Sequence, residues 1–287
     1  MRIALIGAAG QLGSDLLQVL SGEVVPVTHR DLELASPDSI QTCLTRIEPD
    51  LVINTAAYNL VDAAEDDPQT AFSVNALGPR LLARFCEARA IPLVHFSTDY
   101  VFGLNADRTS PWRETDCPGP LGVYAASKLA GEQFVQAECR RHFILRTCGL
   151  YGIAATRGAG KGNFIETMLR LGSQRKQLRV VNDQHCTPTA TLDLARAVND
   201  LVQTEQWGLY HATSSGATTW FGLATEIFRR RNMAVDVQPV SSSDFGAKAR
   251  RPPYSVLNCD RLATVIGWSL PPWPDALDRY LATRPEP

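Results

Sequence analysis

Residues 1–13 read Met1-Arg2-Ile3-Ala4-Leu5-Ile6-Gly7-Ala8-Ala9-Gly10-Gln11-Leu12-Gly13, and the fold follows from this stretch. Its aliphatic run predicts a strand over 2–6 that is buried on both faces, as a parallel sheet requires. Gly7, Gly10 and Gly13 let the chain turn tightly out of that strand and into a helix predicted over 11–20. Unpaired N–H groups at such a helix start attract the charge of a pyrophosphate. A glycine-rich turn also occurs without any ligand. The motif gains its weight from lying directly between a strand and an amphipathic helix.

The alternation continues outward from this start. Strands are predicted over 24–27, 51–54, 93–97 and 143–146, and helices over 37–46, 69–89 and 122–140. This pattern predicts an α/β fold: a Rossmann-type doubly wound parallel sheet over 1–151 that binds NAD(P). Past Tyr151 the regularity loosens. Residues 152–162, with Arg157 and Lys161, read as a mobile loop, followed by a helix over 163–174, a strand over 178–181 and a helix over 191–204. Residues 208–213 read as a late strand returning to the first sheet. The rest, stiffened by Pro252-Pro253 and Pro271-Pro272-Trp273-Pro274, completes a smaller, partly discontinuous C-terminal substrate lobe over 152–287.

Composition agrees with two unequal lobes: 287 residues, 45% hydrophobic and 20% charged. A net charge of -2 gives no basic field, so nucleic acid is not an expected partner. The apolar start is too short for a signal-peptide core, and no apolar run reaches membrane-spanning length, so no membrane partner is expected. Seven scattered cysteines without a C-x-x-C spacing indicate neither a disulfide framework nor a zinc site, and a cytoplasmic location is expected. Of the 28 cationic residues only Lys128, Lys161, Lys176 and Lys248 are lysines. Each lysine therefore merits a specific reading.

The second predicted strand ends at Thr28-His29-Arg30-Asp31, where a dinucleotide fold reads the ribose. Asp31 would bind the hydroxyls of NADH, and Arg30 would pair with the 2′-phosphate of NADPH, so both cofactors stay open. The strongest signal is Tyr124-Ala125-Ala126-Ser127-Lys128, which places a phenol and an ammonium on one helix face. A nearby positive charge is expected to lower the phenol pKa toward neutrality. The strand ending Ser97-Thr98-Asp99-Tyr100-Val101-Phe102 delivers hydroxyls to the carboxyl edge of the sheet, where Thr98 would hydrogen-bond a carbonyl oxygen beside Tyr124.

These residues resemble the extended short-chain dehydrogenase/reductase superfamily, and within it the dTDP-4-dehydrorhamnose reductase family. The supporting strings cover most of the chain: GAAGQLG, INTAAYNLVDAAE from Ile53, VNA from Val74, STDYVFG from Ser97, YAASKLAGE from Tyr124, LRTCGLYG from Leu145, GKGNF from Gly160, VVNDQHCTPT from Val180, GLYHATSSGATTW from Gly208 and RRPPYSVLN from Arg250. The resemblance implies Thr98, Tyr124 and Lys128 as catalytic residues. It implies Gly7, Gly10, Gln11, Leu12 and Gly13 around the pyrophosphate, Ala56, Ala57 and Tyr58 along the cofactor, and Lys128 on the nicotinamide ribose. For a sugar nucleotide it implies Asp99, Phe102, Asn163, Asn182, Asp183, Gln184, Trp220 and Arg251. Asp62 and Glu65 read as carboxylates at a helix start and are not included. The implied reaction is NAD(P)H-dependent reduction of the C4 ketone of a dTDP-4-dehydro-6-deoxy sugar in rhamnose biosynthesis, by an enzyme that forms a homodimer in some members.

Two departures stand out. Cys186 occupies a position where the family commonly has glycine, and would be strained if the site needs a positive φ. Some members dimerise around a divalent metal held by glutamates, but Leu192 falls where one such carboxylate is expected, so no metal is carried over. Among rivals, a dehydratase would need an acid after Thr98-Asp99, and an epimerase resembling GDP-fucose synthase a cysteine near that strand end; neither is present. A non-catalytic subunit resembling the methionine adenosyltransferase β type would retain the fold and the cofactor loop. The intact Thr98, Tyr124 and Lys128 argue for chemistry.

Overall fold

Strand β1 (Arg2–Ile6) lies one strand in from the edge of a six-stranded sheet, its side chains alternating between two cores. A computed structural model describes residues 1–157 and 162–285; Lys161 lies outside the described residues. The other strands are β2 (Glu23–Val27), β3 (Leu51–Asn54), β4 (Leu93–Thr98), β5 (His142–Thr147) and a late strand, Gly208–His211. Their order is β2-β1-β3-β4-β5 and then the late strand, all parallel. The winding reverses between β1 and β3, and ligands bind in the crevice that such a reversal opens at the carboxyl ends of the strands.

Helices cover both faces. On one, Ile3 and Leu5 of β1 pack with Leu12 and Leu16 of α1 (Gln11–Val19) and with Leu194, Val198 and Leu201 of the helix Thr191–Leu201. On the other, Ala4 and Ile6 meet Ile40 and Leu44 of α2 (Pro37–Ile47), Leu82 and Phe85 of α3 (Gly78–Ala88) and Val135 of α4 (Val123–Glu138). Local signals set the ends: Pro37 opens α2, and the Ser36 side chain accepts from the Ser39 amide. The single helix predicted over 69–89 is divided, with a wider turn at Ser73–Leu77 between Pro68–Phe72 and α3. That widening brings Asn75 inward, 1% exposed.

A separate core gathers Tyr151, Ile165, Met168, Leu178, Leu223, Ile227, Phe228, Leu277 and Leu281. It is built by α5 (Phe164–Gln174), the paired strands Gln177–Val181 and Asp236–Val240, α6 (Trp220–Arg230) and α7 (Trp273–Thr283). Residues Ile153–Arg157, part of the segment expected to be a loop, form a short helical turn. Among the described non-glycine residues only Glu48, Ala90 and Asn232 have positive φ. Cys186 is therefore unstrained, paired in an antiparallel bridge with Thr218.

Candidate active site

The carboxyl edge of the sheet opens into a cleft of about 380 Å³ lined by Gly10, Gln11, Leu12, Gly13, Thr55, Ala57, Thr98, Asp99, Tyr124 and Lys128, among others. The glycine turn is shaped for close approach. Gly7 has φ +81°, and a Cβ there would lie 2.5 Å from Thr55 Oγ1; a Cβ on Gly13 would lie 2.7 Å from Ala8 Cα. Thr55 Oγ1 donates to the carbonyl of Ile6 at 2.8 Å, tying the β3 end to the turn. This cradle fits a dinucleotide pyrophosphate at the start of α1.

The ribose-reading candidates separate. Both Arg30 and Asp31 are exposed, but the Asp31 carboxylate accepts from the Thr28 amide at 2.9 Å and from its hydroxyl at 2.7 Å. Those bonds hold its pKa below the usual carboxylate value. Asp31 is thus engaged in its own turn.

Helix α4 carries Tyr124, Lys128 and Glu132 at successive i, i+4 positions. Its first turn is capped from outside: Glu65 Oε1 accepts from the Val123 amide at 2.8 Å. Asn75 bonds both the amide and the carbonyl of Tyr58, at 2.8 and 2.9 Å, and donates to Ser127 at 3.0 Å. It thereby fixes the loop after β3 against the helix. Ala57 reaches the cleft, whereas the Ala56 side chain packs toward the core.

The tyrosine pKa departs from expectation. Burial pushes the Tyr124 phenol up to about 12, with the Thr98 hydroxyl beside it acting against the shift and the charges of Asp99 and Cys148 adding to it. Lys128 Nζ donates instead to the carbonyl of Phe96 at 2.6 Å, and burial lowers this amine to about 8 while Glu132 opposes the shift. The lysine does not depress the phenol, so Tyr124 holds its proton at neutral pH. That is the state a proton donor needs. Asp99, 2% exposed, accepts from Ser255 at 2.5 Å and from Thr98 at 3.1 Å; burial raises it to about 6.

Behind these groups lies a buried ion pair. Glu132 receives Arg146 Nε at 2.9 Å and Nη2 at 2.7 Å, and also accepts from Ser97. Arg146 Nη1 lies 3.4 Å from His211 Nε2, and burial drives that imidazole down to about 3, so it is neutral. Neutral His211 accepts at Nε2 and donates from Nδ1 to the Trp112 carbonyl at 3.0 Å.

A second cavity of about 570 Å³ adjoins the cleft through Tyr100 and Trp220. Gln184 and Arg251 line it, together with Arg179, Arg250, Phe164 and Phe245, which the sequence reading did not single out. Its lining contains no carboxylate, so its charge is positive. Arg251 is bound to Asp62 at 2.7 Å, so Asp62, set aside as a helix-start residue, orients an arginine of this cavity.

Four of the proposed sugar-nucleotide contacts are engaged elsewhere. Phe102 is fully buried, stacked on Trp112 at 4.4 Å with the Arg146 guanidinium 5.0 Å from its ring centroid. Asn163 caps α5 through the Glu166 amide at 2.9 Å and donates to Gln11 Oε1 at 3.0 Å. Asn182 accepts from the Thr219 hydroxyl at 2.8 Å, and Asp183 accepts from the Ser242 amide at 2.8 Å. The side chain of Gln11 is likewise spent between the lobes, accepting from the Gly152 amide at 2.9 Å. Beside Leu192, the carboxylates of Asp15 and Asp193 are engaged by Thr191 and by Arg279, the latter at 2.5 Å.

The sequence matches the RmlD substrate binding domain family over residues 1–285. The chain belongs to this family. It is 34% identical to a dTDP-4-dehydrorhamnose reductase of Escherichia coli over 98% of this chain and 97% of that protein, and 38% identical to one of Streptomyces griseus over 89% and 84%. A crystal structure of dTDP-4-dehydrorhamnose reductase from Bacillus anthracis in complex with NADP superposes with a TM-score of 0.91 at 37% identity, covering 98% of each chain.

Proposed function

We propose that the protein reduces the C4 ketone of dTDP-4-dehydro-6-deoxy-L-mannose to dTDP-L-rhamnose, using NADPH or NADH. The observation that carries this reading is the junction of a glycine-lined cleft bearing Thr98, Tyr124 and Lys128 with a positively charged cavity that suits a nucleoside diphosphate. Relatives that carry the reductase name over nearly the whole chain support it.

Reduced nicotinamide, when bound, supplies the hydride that C4 receives. The Gly7–Gly13 turn and the start of α1 would hold its pyrophosphate, with Thr55 and Ala57 along the cleft. Thr98 holds the ketone oxygen, and Tyr124, protonated at neutral pH, gives its proton to the oxygen as negative charge develops there. Lys128, anchored on the Phe96 carbonyl, presents a cation beside this site and would bond the ribose of a bound cofactor. Asp31 is occupied by Thr28, which favours Arg30 as the ribose-side reader and NADPH as the preferred cofactor.

The seven cysteines are all free, which supports action in a reducing cytoplasm. No helix among the described residues is long and apolar enough to cross a membrane.

The test is oxidation of NADPH, followed by its absorbance, on adding the 4-keto sugar nucleotide. Turnover is expected, and Tyr124→Phe should lose about 10²- to 10⁴-fold in kcat with its fold intact. Absence of turnover, or near-full turnover by the variant, would overturn the assignment.

A further inference from the structure

Three successive residues at the end of β4 each meet α4. The Phe96 carbonyl accepts from Lys128 at 2.6 Å, the Ser97 hydroxyl donates to Glu132 Oε1, and the Thr98 hydroxyl stands beside the Tyr124 phenol. Tyr124, Lys128 and Glu132 follow one another by a turn along one helix face. Helix and strand end are thus joined at three points.

The Ser97 contact differs from the other two. Ser97 and Arg146 are register partners on β4 and β5, so both project from the same face of the sheet, and there they meet Glu132. Arg146 Nε lies 2.9 Å from the carboxylate oxygen that Ser97 binds, and Nη2 lies 2.7 Å from the other. A two-pronged guanidinium fixes a carboxylate in direction as well as in place. Glu132 is fully buried, and although Ser97 reaches the wall of the cleft, its hydroxyl is committed to Glu132.

We propose that Ser97 and Glu132 are positioning residues for the ketone reduction: their hydrogen bond, anchored by Arg146, holds the end of β4 against α4 so that Thr98 and Tyr124 meet on one carbonyl oxygen. The proposal rests on the reductase reading. Ser97 lies between the two groups of β4 that the site uses, the Phe96 carbonyl and the Thr98 hydroxyl, so a shift of its backbone displaces both. A misplacement of about 1 Å costs up to about 10²-fold in rate. Binding of the two substrates rests on other groups, the glycine turn and the charged cavity.

The experiment is steady-state kinetics of the full chain with the 4-keto sugar nucleotide and NADPH, comparing the parent protein with Ser97→Ala. Arg146 still holds both carboxylate oxygens in this variant, so no charge is left unpaired. Its kcat should fall about 10- to 100-fold, while the KM of either substrate changes less than about twofold. Ser97→Thr, which keeps the hydroxyl, should recover most of the rate. In a Thr98→Ala background, Ser97→Ala should cost less than about a further twofold, because it acts through Thr98.

An unchanged kcat in Ser97→Ala would overturn the proposal, as would a rise in both KM values without loss of kcat, or an additive loss on top of Thr98→Ala. Amide hydrogen exchange reads the strand end without turnover. The Tyr100 amide, which donates to Thr98 Oγ1 at 3.2 Å, should exchange about tenfold faster in Ser97→Ala while the amides of β1 and β3 keep their rates. Equal exchange at Tyr100 in the two proteins counts against the clamp, even if the added methyl of Ser97→Thr prevents folding. Absence of turnover by the parent protein overturns the reductase reading instead, and the exchange measurement then decides the clamp by itself.

Discussion

Replacing Asp99 with asparagine should make the protein more stable at neutral pH. Asp99 is 2% exposed, and burial raises its carboxyl from 3.8 to about 6, against the hydrogen bonds from Cys148, Ser255 and Thr98. A group whose folded pKa exceeds its unfolded value contributes stability that is complete below the unfolded pKa and is lost as pH rises through the folded one. For Asp99 that loss runs from about pH 4 to about pH 6, and a shift of roughly two units corresponds to about 3 kcal/mol. Asparagine keeps the shape without the charge. The amide nitrogen replaces one of the two oxygens that accept from Ser255 and Thr98, so one of these bonds is lost at about 1–2 kcal/mol, leaving a net gain of about 1–2 kcal/mol above pH 7. Urea unfolding of both proteins, from about pH 4 to about pH 7.5, gives the difference in stability at each pH. That difference should move by about 3 kcal/mol in favour of the variant as pH rises through this window. A difference independent of pH would refute the argument, because it would mean the carboxyl titrates alike in folded and unfolded chains.

Other perturbations test neighbouring groups. Glu132→Gln leaves Arg146, 2% exposed, without its countercharge, and should cost about 3–5 kcal/mol in chemical denaturation; pairing it with Arg146→Met should recover most of that loss. Lys128 is lowered to about 8 by burial, so a rate that needs its ammonium should fall as pH rises through about 8 in the kcat/KM profile of the free enzyme. The same shift means that the cost of burying the charged amine is present below about pH 8 and relieved as pH approaches 10.5. Arg30→Ala should abolish a preference for NADPH over NADH in the ratio of kcat/KM values, while Asp31→Ala should leave that ratio nearly unchanged.

Much of the sheet was legible because burial on both faces leaves continuous apolar runs, as in Leu51-Val52-Ile53, and because glycines mark the turn after β1. The late strand at Gly208–His211 was legible too, although its partner β5 lies more than 60 residues earlier. What the sequence did not convey was the division of the helix at Ser73–Leu77, since a one-residue widening leaves the apolar period almost intact. Nor did it convey the ionisation of Tyr124. Spacing placed Lys128 on the same face, but the ammonium's length lets it choose between a phenol and a backbone carbonyl, and it took the Phe96 carbonyl.

The polar residues of the second lobe show where such reading stops. Asn163 and Asp183 stand at helix starts, and Asn182 bonds the capping residue of another, where short polar side chains satisfy amides that a helix leaves unpaired. A motif rich in Asn and Asp beside a helix start therefore has a local use that competes with ligand binding, and here the local use prevails in the hydrogen-bond geometry. Arg179 and Arg250 carry the opposite lesson. Arg179 takes an exposed position of its strand and Arg250 opens the RRPPYSVLN string, and only the approach of chain segments some 70 residues apart gives them a common cavity. Glu132 falls between these cases. Its spacing of four from Lys128 was visible, but a glutamate on a helix is usually solvated, and only the arrival of Arg146 from β5 makes its burial tolerable. The charge that steadies the Lys128 ammonium thus depends on a contact that no local pattern encodes.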